Sequence, residues 1–207
     1  MSNEIKISVI IPCYNQEQLV IKAIDSIPKR NDIEIIVIDD GSIDDTWNNL
    51  LAYRENHPEM LNLILLYNEE NKGVAYTVNK GYDNAQGEYV VLLGSDDYFY
   101  TEAFEEAIKE LDGTDLVYFD MQVNNGDVWQ INNDSKHVLV GSVKFMRKEF
   151  IGDTRCEDKP TGEDVSFYKE LLSKKPTEKF THLVVKHYNH PRENSLTDLV
   201  RKGILNV

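Results

Sequence analysis

The feature that most constrains this chain is a rhythm in its first half, where short runs rich in Val, Ile and Leu alternate with amphipathic stretches and each run ends in a polar cluster. Residues 7–11, 34–38, 61–66 and 89–93 read as strands buried on both faces, the composition a parallel sheet demands. Between the first two, Leu19, Val20, Ala23, Ile24 and Ile27 share one helical face, with Asn15 as cap and Pro28 as stop. A second helix begins at Asp44 or Asp45, where Ser42 and Asp45 have capping-box spacing; it buries Trp47, Leu50 and Leu51 and is finished by Pro58. A third turns Val74, Val78 and Ala85 inward and ends near Gly87. This order predicts an α/β fold, a mixed, mostly parallel sheet flanked by helices, with ligands at the carboxyl ends of the strands.

The second half is less regular. Its pattern predicts a helix over 101–111, a strand over 116–119 and a hairpin at Asn124-Asn125-Gly126-Asp127. Helices over 142–150 and 163–172, a strand over 183–188 and a tail with Arg192, Arg201 and Lys202 follow. There is no internal repeat and no clear linker, so the 207 residues read as one domain whose halves share a core.

Charge narrows the partners. A net charge of -14 gives no footprint for nucleic acid and repels an anionic membrane except where Lys and Arg cluster. No apolar run approaches the roughly 20 residues of a bilayer span, and the first residues lack a secretory signal. Cys13 and Cys156 have neither disulfide nor zinc spacing, which fits a reducing cytoplasm.

The strand ends carry the chemistry: Pro12-Cys13-Tyr14-Asn15, Asp39-Asp40-Gly41-Ser42, Asn68 with Asn71-Lys72-Gly73, and Ser95-Asp96-Asp97. In a parallel sheet these groups meet along one edge. Asp39 and Asp40 suit a ribose diol or a base N–H, and equally suit a turn. Asp96 and Asp97 repel each other unless a divalent cation intervenes, and hard oxygen ligands point to Mg²⁺ or Mn²⁺; Asp97 could instead cap the next helix. Glu163-Asp164 opens a helix whose N-terminus favours negative charge, which is also the ordinary structural use of such acids. Arg192, near His187, Tyr188 and His190, offers a bidentate fork for phosphate.

Taken in order, these segments resemble the inverting family 2 glycosyltransferases of the GT-A fold. The run Ile7-Ser8-Val9-Ile10-Ile11-Pro12-Cys13-Tyr14-Asn15 resembles the family's opening strand, and Val37-Ile38-Asp39-Asp40-Gly41-Ser42 its second. Asn71-Lys72-Gly73 through Asn79-Lys80-Gly81 is similar to its third segment. Leu92-Leu93-Gly94-Ser95-Asp96-Asp97 stands where the family carries its acidic metal motif. Gly162-Glu163-Asp164 resembles the catalytic-base element, and Tyr188-Asn189-His190-Pro191-Arg192 with Ser195-Leu196-Thr197 the element near the diphosphate.

The resemblance implies a sugar transferred with inversion from a nucleotide donor, UDP-linked, to a glycan or lipid-linked acceptor, in polysaccharide biosynthesis. By this implication Pro12, Tyr14 and Asp40 line the base and ribose pocket, with Asn15, Asp39, Asn71, Gly73, Ser95, Glu163 and Arg192 also on the substrate. Asp96 and Asp97 hold Mg²⁺ or Mn²⁺, and Asp164 is the base. Residues 1–100 form the nucleotide-sugar half and 101–207 the acceptor half. The protein is expected in the cytoplasm, with peripheral attachment to the inner face of the membrane open to it. Gly94 stands where the family usually has Asp, and Thr77-Val78 where it commonly has Ala-Arg. These departures leave a rival, a degenerate member that binds nucleotide or glycan without turnover. A haloacid-dehalogenase type phosphatase needs two acids separated by one residue, and neither G-x-G-x-x-G nor a P-loop occurs, so those readings fall away.

Overall fold

The computed structural model describes residues 4–133, 142–159, 162–192, 198 and 202–203. Four parallel strands form its first half: β1 (Ile7–Cys13), β2 (Ile33–Asp39), β3 (Leu63–Tyr67) and β4 (Tyr89–Leu92). The crossovers are α1 (Leu19–Asp25), α2 (Thr46–Asn56) and α3 (Val74–Asn84). The second half adds β5 (Tyr98–Phe99), α4 (Thr101–Lys109), β6 (Leu116–Val123), β7 (Val128–Trp129), β8 (Lys144–Arg147), α5 (Lys148–Ile151), α6 (Glu163–Ser173) and β9 (Glu178–Tyr188). Among the described residues all strands join one sheet ordered β3-β2-β1-β4-β8-β6-β9-β5, with β7 paired to β6. This is the mixed, mostly parallel sheet flanked by helices that the sequence predicts.

Side chains alternate across a strand, and the two cores follow that alternation. Val9, Ile11, Ile35 and Val37 pack with Val20 and Ile24 of α1, Leu50 of α2 and Phe104 and Ile108 of α4. Ile10, Ile36, Ile38 and Val90 pack on the other face with Ala75, Val78 and Tyr82 of α3 and Phe167, Tyr168 and Leu171 of α6. With helices on both faces, β1 and β2 have almost no exposed position, which is why they are nearly continuous runs of Ile and Val. The hairpin predicted at 124–127 is present, with Gly126 at φ 90 between β6 and β7.

Four local expectations are corrected. The helix expected over 142–150 is instead strand β8, followed by the single turn α5, because β8 fills the gap between β4 and β6. Phe145 and Met146 there face opposite cores, a period of two that pairing imposes on a stretch whose spacing also suits a helix. Asn15 does not cap α1, whose first turn follows Gln18; its Oδ1 accepts the Ile43 N–H at 3.0 Å instead. Ser42 and Asp45 form no capping box, since the Ser42 hydroxyl donates to Asp39 Oδ1 and Asp44 Oδ1 accepts the Thr46 N–H. Trp47 and Leu51 are only half-buried, whereas Leu50 is fully buried.

The Phe145 ring packs 5.3 Å from Phe104 and 5.4 Å from Phe119, centroid to centroid. Phe145→Ala should therefore cost about 3–5 kcal/mol in urea denaturation, while Glu149→Ala on exposed α5 should stay within about 0.5 kcal/mol. Equal, small effects would restore the helix reading of 142–150.

Candidate functional site

The parallel register aligns the strand ends: Cys13 pairs with Asp39, Asp39 with Tyr67, and Ile10 with Leu92. The ladder continues one step past them, as Asp40 N–H donates to Cys13 O, Asn68 N–H to Asp39 O and Leu93 N–H to Ile10 O. The loops after β1, β2, β3 and β4 thus leave from one edge.

In the pair after β2 the two acids differ sharply. Asp40 is buried and saturated: its Oδ1 accepts the Asn68 amide at 2.8 Å and Lys72 N–H at 2.9 Å, and its Oδ2 accepts Gly73 N–H at 2.9 Å. It holds the β3–α3 loop, with Asn71 Oδ1 also receiving Gly73 N–H at 3.1 Å. The neighbouring turn leaves no room for a larger residue at Gly41, whose φ is +69 and whose missing Cβ would lie 2.5 Å from the Glu70 carbonyl carbon. Asp39 is fully buried too, but only Oδ1 is engaged, by Ser42 N–H at 3.0 Å and the Ser42 hydroxyl; Oδ2 has no hydrogen-bond partner. Burial raises its pKa above the usual 3.8, against the lowering effect of Ser42. Asn15 N–H donates to Ser42 Oγ at 2.8 Å, tying the first loop to this turn, while Tyr14 beside it is 40% exposed.

The same division recurs after β4. Asp97 is buried, with Oδ1 accepting Asn189 N–H at 2.9 Å and Oδ2 2.7 Å from Lys186 Nζ. Lys186 is itself fully buried and donates to Ser142 Oγ at 2.5 Å. Asp96 is half-buried, and its Oδ2 lies 2.8 Å from Arg192 Nε. Burial and then the charge of Asp97 raise its pKa above 3.8, opposed by Arg192 and Lys186. A Cβ at Gly94 would lie 2.7 Å from Asp97 Oδ2 and 3.1 Å from Asp96 Oδ1, so an acid at that position would displace this arrangement. Ser95 is buried within the turn.

Glu163 and Asp164 form the first turn of α6, both half-buried, with Asp164 Oδ1 accepting Val165 N–H at 2.8 Å. Burial raises the Glu163 pKa, with Asp164 adding to it. Below the helix lies Lys144, fully buried, its Nζ 3.4 Å from the centre of the Tyr168 ring. Burial drives the Lys144 pKa down, and Asp164 and Glu178 oppose that. Lys144 opens β8 beside the end of β4, since Phe145 pairs with Val91. Asp164 is close enough for its charge to act on Lys144, but no hydrogen bond among those described joins it to Asp39 or Asp96. Ser195-Leu196-Thr197 and Arg201 lie outside the described residues.

Lys186 and Lys144 were missed by reasoning from sequence. Their signal was present, a lone Lys inside an apolar strand, since such a cation is buried only if it is compensated. Among the described residues no three acidic, His or Cys side chains form a preformed metal cage. The donor set still suits a cation shared with a substrate, because Mg²⁺ commonly takes one or two carboxylates and completes its shell with phosphate oxygens and water. Asp96 can offer such a carboxylate, whereas Asp97 already has each oxygen engaged, by Lys186 and the Asn189 N–H.

The model of the family described as Glycosyl transferase family 2 matches residues 8–180. An uncharacterised glycosyltransferase of Rickettsia conorii is 34% identical over 138 residues, 66% of this chain and 21% of that protein. The glycosyltransferase GlyA of Streptococcus pneumoniae is 35% identical over 108 residues, 51% of this chain and 15% of its own length. The chain thus spans about a fifth or less of these curated relatives. Crystalline S. aureus TarS 1-349 in complex with UDP-GlcNAc superposes with a TM-score of 0.78 at 22% identity, over 93% of this chain and 61% of that one. The mannosyltransferase PcManGT from Pyrobaculum calidifontis, in complex with GDP-Man and Mn²⁺, gives 0.75 at 21%, over 95% and 60%. These likenesses bear out the GT-A architecture.

Two outcomes follow from the carboxylates. Removing one partner of a buried ion pair costs about 3–5 kcal/mol, so Lys186→Met should lower the melting temperature sharply, and adding Asp97→Leu should recover much of the loss. Asp39 and Asp96 bind protons more tightly folded than unfolded, so their contribution to stability is largest below the ordinary 3.8 and falls as pH rises through the raised folded values. Urea denaturation across acidic to neutral pH should show a shallower decline in Asp39→Asn; an unchanged slope contradicts the raised Asp39 value.

Proposed function

Because the chain belongs to glycosyl transferase family 2, we propose that it moves a hexosyl or N-acetylhexosaminyl group from a nucleoside-diphosphate donor to an acceptor hydroxyl, with inversion. The observation that carries this reading is the place where strand order reverses. The chain runs from β1 outward to β2 and β3, then crosses back to β4 on the other side of β1. Ligands of such sheets bind in the crevice at the carboxyl ends of the strands flanking that reversal. Asp39 lies on one side of it and Asp96 on the other.

The residues divide the donor between them. The unsatisfied Asp39 Oδ2 suits a ring N–H of the base, which fits uracil and would relieve the cost of a buried acceptor without a donor. TarS, crystallised with UDP-GlcNAc, agrees with a UDP-linked donor, and PcManGT, crystallised with GDP-Man and Mn²⁺, with a divalent cation. Pro12 and Tyr14 flank the base, while Asn15, Asp40, Asn71 and Gly73 build the walls through the bonds described above. A cation held by Asp96 would neutralise the diphosphate as it leaves. Asp164 takes the proton of the acceptor hydroxyl while the new bond to the anomeric carbon forms and the bond to the diphosphate oxygen breaks, and Glu163 and Arg192 position the two substrates.

By family analogy the acceptor is a glycan or lipid-linked glycan of polysaccharide biosynthesis, and the chain works in the cytoplasm, at the inner face of the membrane when its acceptor is lipid-linked. Among the described residues no helix is long and apolar enough to cross a membrane. A second reading, a protein that binds donor without turnover, is favoured by Gly94, which removes one acid from the turn.

UDP-sugars incubated with the protein and Mn²⁺ should release UDP. Asp164→Asn should lower that rate by about 10² to 10⁴ while UDP affinity holds within about twofold. An undiminished rate in the variant refutes the base, and saturable binding without release in the parent supports the second reading.

A further inference from the structure

We propose that Arg192 and a divalent cation compete for the Asp96 carboxylate, so that the protein takes up the cation together with a nucleoside diphosphate rather than alone. The inference rests on the reading that Asp96 is the cation's ligand, and it concerns what stands there when no donor is bound.

Asp97 is committed elsewhere, its oxygens engaged by Lys186 and the Asn189 N–H inside the protein. Asp96 is left as the carboxylate of this turn within reach of a ligand, and the Arg192 guanidinium stands 2.8 Å from its Oδ2. The same Asn189 contact keeps Arg192 there, since it fastens the chain three residues upstream to the acid turn. Arginine and a divalent cation on one carboxylate would be like charges a few ångströms apart. Even with the cation on the second oxygen, Oδ1, each weakens the hold of the other.

The contact is suited to exchange. Asp96 and Arg192 keep 20% and 30% of their side-chain surface exposed. A diphosphate offers the planar guanidinium a better, bidentate partner, and its arrival frees Asp96 for the cation. Coupling of this kind is reciprocal: whatever factor the diphosphate adds to cation affinity, the cation adds to diphosphate affinity.

Titration with Mn²⁺, read by electron paramagnetic resonance of the free ion, tests the competition without turnover. In the absence of nucleotide, Arg192→Gln should bind Mn²⁺ at least about fivefold more tightly than the parent, the lower end of ordinary couplings. Arg192→Lys, which keeps the charge, should stay near the parent. Lys22→Gln, which removes a nearby cation that sits over the Tyr98 ring rather than on Asp96, should also leave affinity within about twofold. An equal gain from Lys22→Gln, or no gain from Arg192→Gln, overturns the competition. Asp96→Asn separates the two ideas. If it leaves Mn²⁺ binding with UDP intact, the cation reading fails and this inference with it; if it abolishes binding while Arg192→Gln changes nothing, the competition alone is overturned.

Discussion

Carboxylates crowded at one edge of a parallel sheet repel one another, and the organisation of this protein follows from how that repulsion is met. Each adjacent pair is split. Asp40 is absorbed by three donors from the β3–α3 loop, and Asp97 by a buried lysine and a backbone N–H from the end of β9. Of their neighbours, Asp39 keeps an oxygen with no donor from the protein, and Asp96 one faced by the Arg192 guanidinium. The anchored acid of each pair fixes the loop that carries the other one.

This division explains the departure at position 94. With Asp97 turned inward to Lys186, its carboxylate fills the space a side chain at Gly94 would need. A leading acid there and an inward Asp97 exclude each other in this packing. The buried lysine supplies one positive charge to the turn, at Asp97, and Arg192 a second, at Asp96. Charge on the acid turn is therefore balanced by the chain itself before any ligand arrives, which is the electrostatic reason that Asp96 can remain half-buried next to another acid.

Much of the framework was legible in the sequence because it rests on periodicity. The runs at 7–11 and 34–38 could only be strands covered on both faces, and the polar residues after them could only leave from one edge. What was not legible depends on partners distant in the chain. Nothing in Asp-Asp says which acid will be tied down; that is decided by Asn68 and Gly73 for one pair and by Lys186 and Asn189 for the other. The stretch at 142–150 was misread because β8 is made by the gap between β4 and β6 and not by its own spacing. Asn15 looks like a cap, but the turn after β2 competes for it and wins.

The central proposal, that Asp39 and Asp96 take the ligand while Asp40 and Asp97 hold the loops, is tested most directly by a crystal structure with UDP and Mn²⁺. The account predicts the uracil N–H on Asp39, the cation on Asp96 with Arg192 moved to the diphosphate, and Asp97 still paired with Lys186. A cation coordinated by Asp97, or a base held by Asp40 with Asp39 untouched, would contradict it.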